Sequence, residues 1–202
     1  DVAEAKPRYI WIDAAANFPD YANGKENIAK DMEKIKAAGF TDIIVDVRPT
    51  TGDVLFNTNV VDQVKRMDVW GNSGYSYYER TETWDYLQAF IEEARIQGLK
   101  VNASINTFVG GYLCPYNLGH DGVLFRDESK KGWASVANLA DGLTNTMDLL
   151  DDETDYGAKF FNPANDDVQN FVLQLLADLA KYDLDGIILD RCRYDDYGLE
   201  SD

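Results

Sequence analysis

A cluster of charged residues near the end of the chain has the composition of an active site. The segment YDLDGIILDRCRY, residues 182–194, places a short apolar stretch directly before Asp190, Arg191 and Arg193. Such a stretch is typical of a strand buried on both faces. A carboxylate that neighbouring cations keep ionised can serve as a nucleophile or a base. We therefore take Asp190 as the candidate catalytic residue, with Arg48 or Arg191 as the cation beside it.

Polar residues also stand at the ends of three earlier predicted strands. They are Asp13 after the first strand, Asp46, Arg48 and Asp53 at the second, and Asn102, Ser104 and Asn106 in the third. If the strands are parallel, these side chains and those of Arg191 and Arg193 project towards one rim. Carboxylates, arginines and amides offer the donors and acceptors that sugar hydroxyls need. The pattern therefore indicates a carbohydrate site, and glycoside hydrolysis would require a second, protonated carboxyl group.

Several of these residues have structural alternatives. Asp46 is equally compatible with a bridge to Arg48, and Asp13 with capping the segment that follows it. An aromatic loop after the second strand carries Trp70 and three tyrosines, Tyr75, Tyr77 and Tyr78. These rings could stack on sugar faces or could pack within the loop.

The elements that would position these residues alternate between strand and helix. The predicted strands are Arg8–Ala14, Thr41–Pro49, Lys100–Phe108 and Asp185–Asp190. The predicted helices begin at Asn23, with Glu26 completing a capping box, at about Thr83, and at Asn162–Asp167. Such alternation predicts parallel pairing in chain order with right-handed crossovers.

The choice between a (β/α)8 barrel and a doubly wound sheet depends on the loops. No glycine-rich nucleotide-binding turn is present. The loops after the second and third strands are long, at about 49–82 and 109–161, whereas the returning turns are short. This asymmetry favours an α/β fold of the TIM-barrel type. Within the second loop, Trp133–Leu139 alternates like one arm of a hairpin.

Composition excludes some classes of partner. The formal net charge of −17 argues against nucleic acid and against an anionic membrane surface. No apolar run is long enough to span a membrane, and no leader precedes the polar start DVAEAKPR. A single histidine, His120, argues against a multi-histidine metal site, so we expect no metal or cofactor, with calcium left open. Cys114 and Cys192 are interpreted as free thiols, and a disulfide between them stays open.

The chain resembles the family 10 glycosyl-hydrolase-like proteins, a group distinct from the family 10 xylanases. The residues that carry the resemblance are YIWID, IIVDVRPTTGDVLF, GLKVNASINTF, NPANDDV and YDLDGIILDRCRY. They touch every predicted strand, and the combination of Arg-Pro, Gly-Asp and Asp-Gly-x-x-x-Asp is fairly specific.

The resemblance implies a TIM-barrel glycosidase related to the amylase-like superfamily. Asp190 matches the nucleophile at the end of strand four, and Arg48, Asp53 and Asn106 match substrate-binding positions. It also implies an exported bacterial protein, secreted, periplasmic or on the cell surface, that acts on a cell-wall or dietary polysaccharide. With Asp13, Trp70, Arg191 and Arg193, these residues form our predicted site.

The chain stops just after the fourth predicted strand, although a (β/α)8 barrel needs eight. We therefore expect residues 1–202 to be the first half of a barrel, with the remaining half as a partner and the general acid outside this chain. The leading hypothesis is a glycoside hydrolase of the retaining type. A catalytically inactive carbohydrate-binding barrel is the alternative, and a metal-dependent deacetylase or isomerase is a weaker third.

Overall fold

The computed structural model describes residues 6–71, 74–113, 120–149 and 157–195. Strands and helices are numbered in chain order. The strands are β1 (Tyr9–Ile12), β2 (Asp42–Arg48), β3 (Arg66–Gly71), β4 (Gly74–Glu79), β5 (Lys100–Asn106), β6 (Val109–Leu113), β7 (His120–Asp121), β8 (Val136–Leu139), β9 (Gly142–Asn145), β10 (Gly157–Phe160) and β11 (Gly186–Asp190). The α-helices are α1 (Ala14–Tyr21), α2 (Lys25–Ala37), α3 (Tyr86–Ile96), α4 (Val123–Arg126) and α5 (Asp166–Leu179), and short 3₁₀ helices cover Glu128–Trp133 and Thr146–Leu149.

The central element is a four-stranded parallel sheet in the order β1-β2-β5-β11. Strands β1, β2, β5 and β11 correspond to the four predicted strands, so their parallel pairing in chain order is confirmed. In this register Asp46 lies beside Ser104, and Asp190 lies beside Asn106. The carboxyl ends of the four strands therefore meet at one edge of the sheet.

Three helices cross between consecutive strands of this sheet and bury its apolar core. Helix α2 links β1 to β2, α3 links β2 to β5, and α5 precedes β11. Residues Ile43, Val45 and Val47 of β2 are fully buried among the helices. Helix α5 contributes Val168, Phe171, Val172, Leu175 and Leu179 at the spacing of one helical face.

One prediction about a helix start is corrected, and one helix was not predicted. Helix α2 begins at Lys25 after Gly24, which makes no side-chain cap, so the predicted capping box from Asn23 is wrong. The Asn23 side chain instead accepts from the Thr81 backbone N–H at 2.8 Å and donates to the Glu79 carbonyl at 2.8 Å. Helix α1, which was not predicted, starts directly after β1 because the Asp13 carboxylate accepts the Ala16 N–H at 2.7 Å.

The two long loops contain small antiparallel sheets of their own. The first carries the β3–β4 hairpin, and the second carries the β10-β6-β7 sheet and the β8–β9 hairpin. Strand β8 confirms the predicted hairpin arm. Long connections in a compact domain are often functional, and these reach the cleft described below.

The sheet is open at both sides within the described residues. Strands β1 and β11 each pair with one neighbour, and Tyr9, Trp11, Ile187 and Leu189 on these strands stay well exposed. The described part of the chain is therefore an open α/β sheet, and the closed barrel stays a prediction. No helix in the described ranges has the length and apolar character needed to cross a bilayer.

Candidate functional site

A β-bulge near the end of β2 separates two residues that were predicted to share the rim. Asp46 pairs with Ser104, but Arg48 pairs with Ile105, because the register shifts between Asp46 and Arg48. A bulge inserts one residue and re-aims the side chains beyond it. Asp46 and Arg48 therefore project from different faces of the sheet.

Arg48 lies in the layer between the sheet and helix α5. Its side chain is fully buried, and its guanidinium carbon is 6.0 Å and 5.7 Å from the ring centres of Phe161 and Phe171. Nη1 donates to the Asn106 carbonyl, and Nη2 donates to the Val109 carbonyl at 2.5 Å. Burial lowers the pKa of Arg48 to about 10, which leaves it charged at neutral pH.

Two predicted substrate-binding residues therefore occupy buried, supporting positions. Asn106 is also buried, and its Nδ2 donates to the Arg48 carbonyl at 2.8 Å. Together Arg48 and Asn106 fasten the end of β2 to the end of β5. The expectation that Arg48 lies beside Asp190 is corrected, because its guanidinium is committed to backbone carbonyls.

Asp46 is a buried carboxyl group on the sheet face opposite the helices. Its Oδ1 has no hydrogen-bond partner among the described residues, and no ion pair joins it to Arg48 within them, so the predicted bridge is not formed. Burial, followed by the charge of Asp13, raises the pKa of Asp46 to about 7, and the charge of Asp190 adds to this effect. The carboxyl groups at the ends of β1, β2 and β11 therefore influence one another.

Asp190 is exposed at the end of β11. Its Oδ1 accepts the backbone N–H of Arg191 at 2.8 Å, and its carbonyl accepts the Thr107 N–H at 2.8 Å. Arg191 has a positive φ of 43°, so the chain turns sharply after the strand. The Arg193 guanidinium carbon lies 5.1 Å from the ring centre of Phe160. Asp190 is thus held in place by backbone contacts and faces solvent.

A cleft of about 410 Å³, here called the aromatic cleft, lies beside the strand ends. Its lining residues come from β1's end, from the turn after β2 and from both long loops, and they include Asp13, Thr51, Arg66, Asp68, Trp70, Tyr112 and Asp121. Trp70 is 69% exposed. The two long loops therefore share a cleft wall through Trp70 and Tyr112, whereas Asp190 is not part of the lining.

A second cleft of about 490 Å³, here called the arginine cleft, contains Asp53. Asp53 Oδ2 is 2.7 Å from Nη2 of Arg126, whose Nη1 is 2.8 Å from Asp62. Asp53 Oδ1 is buried and has no hydrogen-bond partner among the described residues. Burial raises the pKa of Asp53 to about 6, although Arg126 opposes that rise.

Two glycines bring Asp53 to this position. Gly52 has φ of 80°, and a Cβ there would lie 3.3 Å from the Gly111 nitrogen of β6. Gly122 has φ of 93°, and a Cβ there would lie 2.4 Å from the Gly111 Cα. Because only glycine fits both the backbone angle and the space, the turn after β2 packs against β6 and α4, which carries Arg126.

The remaining predictions concern metals and thiols. His120 stacks on Phe125 with ring centres 4.7 Å apart. The described ranges hold no group of three or more metal-binding side chains, and calcium stays untested. Cys192 is exposed and free, and Cys114 lies outside the described residues.

Sequence reasoning missed Arg66, Asp121 and Arg126, because loop residues carry no periodic signal that relates them to Asp53.

Comparison with known proteins gives one curated relative and several structural neighbours. No protein-family model matches the chain. An S-layer-related protein of Niallia circulans is 30% identical over 195 residues, which cover 92% of this chain and 11% of that protein. The chain therefore spans about a tenth of the length of that relative.

The structural neighbours include glycoside hydrolases. An alpha-L-fucosidase isoenzyme 2 from Paenibacillus thiaminolyticus has a TM-score of 0.57 at 20% identity, over 92% of this chain and 23% of its own. A hypothetical protein from Ruminiclostridium thermocellum has a TM-score of 0.53 at 11% identity, over 94% and 78%. A GH36 alpha-galactosidase from Geobacillus stearothermophilus has a TM-score of 0.50 at 11% identity, over 96% and 23%. The chain thus has a fold found within glycoside hydrolases.

Proposed function

We propose that this chain is part of a glycoside hydrolase that cleaves a polysaccharide or cell-wall glycan with retention of configuration. The observation that carries the proposal is the exposed Asp190 at the end of a parallel strand, in a fold shared with glycosidases. The nearby aromatic cleft supplies an exposed indole for stacking on a sugar face. Asp190 is the proposed nucleophile.

The other half of the barrel is proposed to come from further strands and helices of a longer protein. Exposed Trp11, Ile187 and Leu189 on the edge strands are the surfaces that added strands and helices would cover. The general acid would stand on one of those strands. Retention requires the two carboxyl groups to lie about 5 Å apart across the scissile bond.

The remaining site residues have different proposed roles. Asp13 and Trp70 contact the glycan in the aromatic cleft, and Arg191 positions the nucleophile through its backbone N–H. Arg48 and Asn106 support the strand ends from within the protein. Arg193 lies on the same turn and is proposed to border the substrate once the barrel is complete.

A carbohydrate-binding barrel without turnover is the second candidate. The specific observation in its favour is that Asp190 does not line the aromatic cleft in the described chain. The similarity to an S-layer-related protein supports a cell-surface location under either proposal. A secreted or surface-attached protein of a bacterium would meet cell-wall and environmental glycans there.

Replacing Asp190 by Asn tests the catalytic role. In the completed protein this change should lower kcat at least about a thousandfold and leave glycan binding nearly intact, because it removes the negative charge and keeps the side-chain size. Turnover would be measured on a panel of glycans, with circular dichroism as a check of the fold. Asp195→Asn is the matched control on the same segment.

The 202-residue chain alone should show no turnover, since its acid partner is absent. Wild-type activity in the Asp190→Asn protein, or hydrolysis by the chain alone, would contradict the proposed roles. Glycan binding by a completed protein that never turns over would favour the non-catalytic barrel instead.

A further inference from the structure

The arginine cleft concentrates cations in a strongly acidic chain. Four of its lining residues, Lys65, Arg66, Arg80 and Arg126, are basic, whereas the whole chain has 19 lysines and arginines and a net charge of −17. Four acidic residues, Asp53, Asp62, Glu79 and Asp121, line the same cleft, so its charges balance and it is less negative than the chain as a whole. The cleft is therefore a candidate site for an anionic group.

Two of these cations, Arg126 and Arg80, already bind other groups of the protein. Arg126 pairs with Asp53 at 2.7 Å and Asp62 at 2.8 Å. Arg80 donates from Nε to the Ala22 carbonyl at 3.0 Å, and its guanidinium carbon lies 4.7 Å from the ring centre of Trp84. Both arginines shape the cleft walls and have little capacity left for a ligand.

The other two cations have donors to spare. Arg66 makes a side-chain hydrogen bond to Tyr77, whose ring centre lies 6.0 Å from the guanidinium carbon. Its nearest atom to Asp121 is 3.7 Å away, which exceeds hydrogen-bond length, so most of its N–H donors stay available. Lys65 is exposed and makes no ion pair among the described residues. A guanidinium has five N–H donors in a planar fork, so Arg66 can still bind a planar anion through two of them.

Arg66 also joins the arginine cleft to the aromatic cleft. Arg66 and Asp121 line both clefts, and Arg66 and Trp70 lie four residues apart on β3. Residues at this spacing share one face of a strand and stand about 13 Å apart. A ligand stacked on Trp70 and reaching Arg66 must therefore be longer than a single sugar ring.

We propose that the arginine cleft is a subsite for a carboxylate-bearing sugar of an extended acidic glycan, with Arg66 as the residue that selects the carboxylate. This inference rests on the proposed function of the aromatic cleft. A carboxylate matches the planar fork of arginine. The neighbouring carboxylates Asp62, Glu79 and Asp121 oppose a doubly charged group, so a singly charged sugar acid fits better than a phosphate ester.

The test compares acidic oligosaccharides with their carboxyl-reduced counterparts. Oligogalacturonides and glucuronic-acid-containing oligosaccharides would be titrated calorimetrically into the completed protein, each beside its reduced form. The wild type should prefer the acidic form at least about tenfold. Arg66→Gln should remove most of that preference, and Trp70→Ala should weaken both forms alike. Arg8→Gln, outside both clefts, is the matched control.

The outcomes separate this inference from the proposed function. Equal binding of acidic and reduced ligands, or equal weakening of both by Arg66→Gln, would overturn the acidic subsite while glycan binding stands. No binding of any ligand would overturn both. A preference for acidic ligands that Arg66→Gln abolishes, and that Arg8→Gln leaves unchanged, would support the subsite.

Discussion

The end of β2 and the arginine cleft each bury an aspartate, but the two aspartates stand in different relations to an arginine. Each contains one buried aspartate and one arginine: Asp46 with Arg48, and Asp53 with Arg126. Asp46 and Arg48 are two residues apart in the chain, but the bulge sends them to different faces. Asp53 and Arg126 are 73 residues apart and meet at 2.7 Å.

The pKa values of Asp46 and Asp53 reflect this difference in their surroundings. Burial raises the pKa of both, to about 7 for Asp46 and about 6 for Asp53. Asp53 has a cation that opposes the rise, whereas the charges facing Asp46 include Asp13 and Asp190, which add to it. Asp46 is hydrogen-bonded by the backbone N–H groups of Ala14 and Arg48 but has no salt-bridging cation among the described residues, so it is the acid closer to neutral at physiological pH.

The largest expected loss of stability comes from replacing Arg48, the arginine at the end of β2. Arg48→Met should lower the free energy of unfolding by about 3 to 5 kcal/mol, because the carbonyls of Asn106 and Val109 would lose charged donors inside the protein. Urea denaturation monitored by circular dichroism would measure it. A loss below about 1 kcal/mol would mean that these carbonyls find other donors and that Arg48 is not a structural residue.

The difference between the two regions also marks the limit of sequence reasoning. Apolar periodicity and turn residues were sufficient to predict β1, β2, β5 and β11 and their order, because these strands are defined by local pattern. The direction of Arg48 was predicted wrongly, since strict alternation cannot reveal a bulge. Arg126 could not be paired with Asp53, because that contact depends on two glycine turns that fold separate loops together.

The second prediction concerns Asp46, whose contribution to stability should change with pH in a defined direction. A carboxyl group whose pKa is raised from 3.8 to about 7 stabilises the fold below its unfolded pKa and loses that contribution as pH rises through its folded pKa. Asp46→Asn removes the cost of ionising it. At about pH 8 the variant should be more stable than the wild type by up to about 4 kcal/mol, and at about pH 4 the difference should vanish.

Asp141→Asn, on the exposed β8–β9 hairpin, is the control for the loss of one negative charge. Urea titrations of the three proteins at several pH values would give the free energies. If Asp46→Asn and Asp141→Asn change stability equally at every pH, Asp46 is ionised in the folded protein without a cost, and the proposed contrast with Asp53 disappears.

The smallest effect is expected for the paired acid. Arg126→Met should cost about 1 to 2 kcal/mol, because its side chain is 37% exposed and water screens part of the pair. Without Arg126 the folded pKa of Asp53 should rise above about 6, so the loss should be larger at high pH, where Asp53 is ionised, than in acid, where it is protonated. Adding Asp53→Asn should recover the part of the loss that depends on pH, since no buried charge would then lack its cation. A loss that is the same at all pH values, and that Asp53→Asn does not relieve, would assign Arg126 a packing role and leave Asp53 independent of it.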